Sequence, residues 1–382
     1  MCMYMAKKLK ITTQKTGIVK KTRHIPAVTA DHWDVFNEMR INHNLTWDDV
    51  FKQFHNYLAF TEHLFSLPQE VDRHAQVNAA TIQYYITLWL KHAYQNFLEE
   101  HIKDIPDIKS LQNNVENKPA LVIGAGPSLE KYNHLDILAE SDFYKKKQGT
   151  IMCCSHSLIP CLEAGIIPDY MTLTDAEDVM LAHIDADIVD QYSDQITGIF
   201  VVYTHPSVLE RWKGKKIFML PCIPDVTIPN VQAVISSLFP NMTEFNACAH
   251  VGAFTWNLAV FMGHKSIAMV GLDCGFLPDF PVKDTPYYNV YIKSHSSEKE
   301  MVDKCYHFHT HSFFGNNSYS DDIHYGFAEA CVQIARIAKE HNGVDTFNCT
   351  GGGFIDTPDV IENMHLEDWL SKFKSTTPEV VW

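Results

Sequence analysis

The spacing of apolar residues along this 382-residue chain changes at Pro119. Upstream, from Asp31 to about Asp104, apolar positions recur every three or four residues, as in Phe51, Phe54, Leu58, Phe60 and Leu64, which predicts helices. Thr46 and Asp49 have the spacing of a capping box ahead of that run. A second long helix is expected from Ala75 to Glu100, with Tyr84, Tyr85, Leu88, Trp89, Leu90 and Phe97 as packing residues. The polar stretch Asp104 to Lys118, containing Asn113-Asn114, reads as a linker.

Downstream, short apolar strands alternate with helices. Strand Ala120–Ile123 leads through Gly124-Ala125-Gly126-Pro127 to a helix from about Ser128 to Glu140. Strand Thr150–Cys154 precedes a helix Ser157–Ala164 stopped by Gly165, and strand Tyr170–Leu173 runs into Thr174-Asp175-Ala176-Glu177-Asp178. Further strands are expected at Ile199–Tyr203, Ile217–Leu220, Ser266–Val270 and Val344–Asn348, with helices at Val251–Met262, Ile323–Glu340 and Leu366–Phe373. Continuous apolar strands between helices predict a mostly parallel sheet covered on both faces. The expected fold is therefore α/β and Rossmann-like. A mainly helical region at 1–115, a nucleotide-binding domain at 116–350 and a C-terminal extension at 351–382 complete the predicted organisation.

Composition narrows the partners. Apolar residues at 46% and charged residues at 20% describe a chain able to bury a large core. A net charge of −15 argues against an extensive nucleic-acid surface. The lysines of residues 1–25 read as a solvated arm or an edge strand. Neither a secretory leader nor an apolar stretch of about 18 residues is seen, so no transmembrane segment is expected. The 10 cysteines form no C-x-x-C pair, and several lie in apolar runs; they read as core thiols in a reducing, cytoplasmic setting.

The candidate chemistry gathers at strand ends. In parallel sheets ligands bind beyond the carboxyl ends of the strands, at a switch point. That rule collects Gly124 to Ser128, Ser155-His156, Thr174-Asp175 and Gly271-Leu272-Asp273. A strand, a glycine turn and a helix start offer free amides and a positive helix end to a phosphate. The alternative is a ligand-free turn, since the third glycine of the dinucleotide fingerprint is absent and no G-K-[ST] follows. The segment from Phe276 to Asp322 reads as a long irregular loop over the rim. Its alternating His307, His309 and His311 fall on one side of an extended chain, followed by His324, and suit a general acid or base, a metal site, or neither.

The blocks VIGAGPSL, SHSLIPCLEAGIIPDYMTLTDAED, CAHVGAFTWNLAVFMGHKSIAMVGLDCGF and FNCTGGGFI, in this order, resemble one superfamily over residues 118–370. It contains the motility accessory factor (Maf) flagellin glycosyltransferases and the MptE-type 6-hydroxymethylpterin pyrophosphokinases, and is more distantly similar to bacterial sialyltransferases with a GNGPSL loop. The Maf resemblance implies a glycosyltransferase moving a sugar, such as a nonulosonic acid, from a nucleotide-sugar donor, most simply CMP-linked, to a hydroxyl of a protein or glycan acceptor. Gly124, Ala125, Gly126, Ser128, Ser155, Thr174, Asp175 and Asp273 would then surround the nucleotide. His311 or His309 would act on the acceptor hydroxyl or the leaving phosphate, and no cofactor is required. Ala125 stands where the sialyltransferase loop has Asn. The pyrophosphokinase resemblance implies ATP on the same loop, with Asp175 and Glu177 holding Mg²⁺. A nucleotide-binding protein without turnover is the third reading.

Overall fold

The computed structural model describes residues 73–99, 101–102, 104–115, 118–222, 235–236, 238–248 and 250–373, with side chains in the first helix from Tyr85 onward, Ile86 excepted. They lie in a compact unit spanning Asp48–Trp382. The lysine-rich arm, the Thr46 capping box and the Phe51–Leu64 helix fall outside the described residues.

A nine-stranded parallel sheet forms the centre, in the order β11-β10-β7-β1-β2-β3-β4-β5-β6. Its inner strands are the apolar runs that the sequence predicts: β1 (Ala120–Ile123), β2 (Thr150–Cys154), β3 (Tyr170–Leu173), β4 (Thr197–Val201) and β5 (Lys215–Cys222). After β6 (Glu244–Asn246), β7 (Ser266–Val270) pairs with β1 in the register Ala120↔Ile267. Every residue of β1 and β2 is buried, as a strand covered by helices on both faces requires. The α/β, Rossmann-like expectation holds.

Helix α1 (Arg73–Leu98) packs beside the sheet. Buried Asn96 donates from Nδ2 to the carbonyls of Val202 (2.9 Å) and Thr204 (2.8 Å), and Trp89 stacks on Tyr203 with ring centroids 4.9 Å apart. The stretch expected to be a linker is strapped to the sheet layer instead. Asp107 caps a 3-10 turn at Ile108–Leu111, and the amides of Asn113 and Val115 bond the carbonyls of Phe261 and Met262.

Two other expectations change. The helix predicted to run unbroken from Ser128 to Glu140 stops after one turn, α2 (Ser128–Lys131); Asn133 adopts φ 51° and a new helix starts at His134. Asparagine tolerates that left-handed conformation because its short polar side chain bonds locally. The segment expected to be an irregular loop carries its own small core. Met301, Cys305, Tyr306 and Tyr319 are buried together, and β8 (Tyr306–Thr310) pairs antiparallel with β9 (Asn317–Asp321).

The other helices that the sequence predicts are found close to their expected bounds, whereas short helices such as Asp187–Tyr192, Pro206–Arg211 and Glu298–Cys305 were not expected. Helix α3 (Ser155–Glu163) begins two residues early. Helix α4 (Val251–Met262) ends at Gly263 with φ 104°, and α5 (Asp322–Asn342) ends at Gly343 with φ 63°, both left-handed glycine caps. Beyond β10 (Asp345–Asn348) and the two-residue β11 (Glu362–Asn363), α6 (Leu366–Ser371) buries Trp369 against Phe143, their ring centroids 5.0 Å apart.

Candidate functional site

The chain enters the sheet at β1, steps outward through β2 to β6, and then crosses back to lay β7 on the other side of β1. In sheets of this kind a ligand crevice is expected at such a reversal, beyond the carboxyl ends of β1 and β7. Gly124 to Ser128 and Gly271 to Asp273 meet at this point.

The meeting is closer than a free phosphate cradle allows. The amides of Gly124 and Gly126 donate to the carbonyls of Val270 and Gly271, each at 2.8 Å. A Cβ at Gly126 would overlap the Asp273 carboxyl, and one at Gly124 would overlap the Gly271 carbonyl. The Ser128 hydroxyl donates to Asp273 Oδ2 at 2.7 Å. Asp273 is buried, and that burial pushes its pKa up to about 7 against the opposing pull of Ser128. Its carboxyl group thus takes the place at the first turn of α2 where a substrate phosphate was expected. With α2 one turn long, the helix dipole there is also short. A narrow cleft still reaches Asp273, between Tyr132, Phe276, Asn316 and Gly352-Gly353, while Ala125 is exposed on the outer side of the turn.

The other half of the rim is built on α3. Ser157 donates to the carbonyl of Ile123 at 3.1 Å and so ties the first turn of α3 to the end of β1. Ser155, buried, lies 3.1 Å through Oγ from Nδ1 of His183, which the 3-10 turn Asp178–His183 delivers from beyond β3. The rings of His183 and His156 are in contact, centroids 3.6 Å apart. Burial lowers the pKa of His183 to about 4, helped by the neighbouring His156; burial also lowers His156, partly offset by Asp175. Both imidazoles are neutral at pH 7. Exposed Asp175 accepts from the amides of Ala176 and Glu177, half-buried Thr174 precedes it, and Glu177 accepts from Tyr85 of α1 at 3.2 Å.

Asp175 and Glu177 therefore turn to different partners. Among the described residues, the group with three ligand atoms close enough to share a cation is Glu99, His101 and Glu210, which contains neither.

Of the loop histidines, His307 lies against the start of α5, and His309 and His311 against the segment after β10. His311 is buried; its Nε2 donates to the Ile355 carbonyl (3.2 Å), and its Nδ1 accepts from the amides of Phe313 (3.2 Å) and Phe314 (3.4 Å). Both ring nitrogens serve the backbone, so His311 pins a turn. His309 donates to Asp356 at 3.0 Å and His307 to Asp322 at 2.8 Å. His309 and His311 thus share Asp356, whose Oδ1 lies 3.6 Å from His311 Nδ1, while His307 has a partner of its own.

Sequence reasoning did not single out His183 or the thiol cluster next to Asp273. His250 Nε2 lies 3.1 Å from Cys331 Sγ, and Cys274, at φ 47°, has its pKa lowered to about 5 by hydrogen bonds from Cys331 and His250. Histidines in one strand-end block and in the turn after the next strand would have been the available signal.

This fold defines a Rossmann-like α/β protein with its switch point between β1 and β7. Residues 91–279 match the family model described as "6-hydroxymethylpterin diphosphokinase MptE-like". The chain is also similar to the solved Maf glycosyltransferase from Magnetospirillum magneticum AMB-1, with 15% identity and a TM-score of 0.47, over 75% of this chain and 41% of that one. It thus spans about two fifths of that relative's length. A Ni-free carbon monoxide dehydrogenase from Thermococcus sp. AM4 gives 14% identity and a TM-score of 0.14, over 62% of this chain and 43% of that one. No curated protein sequence matches. Among the described residues, no helix is long and apolar enough to cross a membrane.

Proposed function

We propose that the chain is a transferase that binds a nucleotide-linked donor at the β1/β7 crevice, and that the transferred group is a sugar. The observation that carries this reading is the switch point itself, where the glycine turn, the first turn of α3 and the buried Asp273 carboxyl share one rim. Exposed Ala125 and buried Ser155 line the place of the donor's phosphates, Thr174 and Asp175 that of its ribose, and a protein or glycan hydroxyl approaches over the segment that follows Asp273. The leaving nucleotide phosphate needs charge stabilisation, which amides, hydroxyls and imidazoles on this rim supply. CMP is the first donor nucleotide to test.

The second reading is diphosphoryl transfer from ATP, favoured by the description of the matching family. The separate hydrogen bonds of Asp175 and Glu177 weigh against it. A thermal-shift panel of CMP, CDP, UDP, ATP and a pterin, each with and without Mg²⁺, separates the two. A ligand that binds the folded state raises its stability as RT ln(1 + [L]/Kd). Stabilisation by a cytidine nucleotide without metal supports glycosyl transfer; strict dependence on ATP and Mg²⁺ supports the second reading. No stabilisation by any of them overturns both.

A further inference from the structure

The imidazole pair beside Ser155 has no part in the sheet's packing logic. His156 and His183 come from separate elements, α3 and the 3-10 turn after β3, yet their rings touch at 3.6 Å. Two imidazoles so placed, His156 exposed and His183 half-buried, repel each other when both are charged. Ser155, held within 3.1 Å of His183, adds a hydroxyl that donates or accepts as needed. Ser157 fixes this turn against the end of β1, so the three groups sit next to the glycine turn.

We propose that Ser155, His156 and His183 form the seat for the donor's phosphate or diphosphate group, which binds with uptake of protons by the two imidazoles. The inference rests on the transferase reading and adds its phosphate-recognition residues. A dianionic phosphate supplies the missing counter-charge, so each histidine gains protons on binding. The groups facing the pair agree with this. Asp175, on the loop after β3, favours protonated His156, and its carboxylate is tethered to the amides of Ala176 and Glu177. Asp178 acts on His205, which also feels Lys91 of α1 and packs against His92, ring centroids 4.6 Å apart. Glu177 faces Tyr85 of α1. A nucleotide phosphate therefore meets a rim whose charge follows the ligand: neutral when empty, cationic when filled.

The test is calorimetric titration of the full chain with inorganic pyrophosphate at pH 6.0 and 7.5, in two buffers of different ionisation enthalpy. The variants His156→Asn, His183→Asn and the double variant are run alongside, with their unfolding midpoints as a check on folding. The wild type is expected to bind at least tenfold tighter at pH 6.0 than at 7.5, and to take up more protons than the double variant. The comparison cancels the probe's own protonation. Each single variant is expected to weaken binding about tenfold. Equal affinity and equal proton uptake in the folded double variant would overturn the proposal, as would a wild type that binds no pyrophosphate. The nucleotide thermal-shift panel, run on the same proteins, separates the two ideas. Equal nucleotide stabilisation of wild type and double variant sinks the seat and leaves the transferase reading standing. Pyrophosphate binding that needs the histidines, with no nucleotide effect, does the reverse.

Discussion

Ser128 and Asp273, 145 positions apart in sequence, are joined by a 2.7 Å hydrogen bond across the β1/β7 crevice. The bond links the turn after β1 to the loop after β7 and puts a carboxyl group where an incoming anion was expected. Asp273 is protonated in the folded state well above the usual carboxylate range.

That shift has a sign in stability. The folded state holds the Asp273 proton up to about pH 7, whereas the unfolded chain releases it near the ordinary value of about 4. Between those values the native state binds more protons, so stability falls as pH rises from 4 to 7 and then levels off. Asp273→Asn keeps the shape and removes the titration. It is expected to flatten this decline and to gain roughly 4 kcal/mol over the wild type at pH 8, relative to pH 4. Urea unfolding at the two pH values checks it; an unchanged slope refutes it.

Gly126 is required by the approach of Asp273 rather than by backbone conformation. Its φ is not positive, and an added Cβ would overlap the carboxyl oxygen. Gly126→Ala is expected to destabilise the fold by about 1–3 kcal/mol, as overpacking does. In an Asp273→Ala background the same change should lose at most half of that. A double-mutant cycle by denaturant unfolding measures the coupling.

His311→Ala removes a buried ring that satisfies one carbonyl and two amides. The expected loss is about 2–4 kcal/mol of stability, since the backbone groups are left unpaired. His309, a third exposed and paired with Asp356, should lose under about 1 kcal/mol on the same change. Equal midpoints for His311→Ala and the wild type would return His311 to consideration as a catalytic group.

Asn96 is the clasp between α1 and the sheet. Its two bonds go to carbonyls just beyond β4, in a fully buried position. Asn96→Leu leaves both carbonyls without that partner and is expected to cost about 2–3 kcal/mol. The amides of α1 should then exchange faster with solvent than those of β1 and β2, which hydrogen exchange read by mass spectrometry resolves.

The sheet was legible where burial is complete. Runs such as Ala-Leu-Val-Ile at 120–123 and Thr-Ile-Met-Cys-Cys at 150–154 are apolar throughout because helices cover both faces. Strands β8 and β9 were not: Tyr-His-Phe-His-Thr alternates towards solvent, and Asn-Ser-Tyr-Ser-Asp buries Tyr319, Ser320 and Asp321 without an apolar run. The break in the helix at Asn133 was hidden for a different reason: a single residue that tolerates positive φ does not announce that it uses it. At the rim, the strand-end rule gathered Gly126, Ser128, Ser155, Asp175 and Asp273 from sequence alone. His183 escaped it, since its place beside Ser155 depends on a 3-10 turn whose path no local pattern specifies.

The small core of Met301, Cys305, Tyr306 and Tyr319 draws its supporting residues, among them Phe276, Val282 and Tyr291, from one short span of chain. Contacts so close in sequence lose little order when they separate together and regain it quickly. Hydrogen exchange is expected to show this span opening as a unit before the nine strands of the sheet do, which would uncover the cleft beside Asp273. Access to that cleft would then be set by the free energy of this sub-global opening, a quantity separate from the stability of the whole protein.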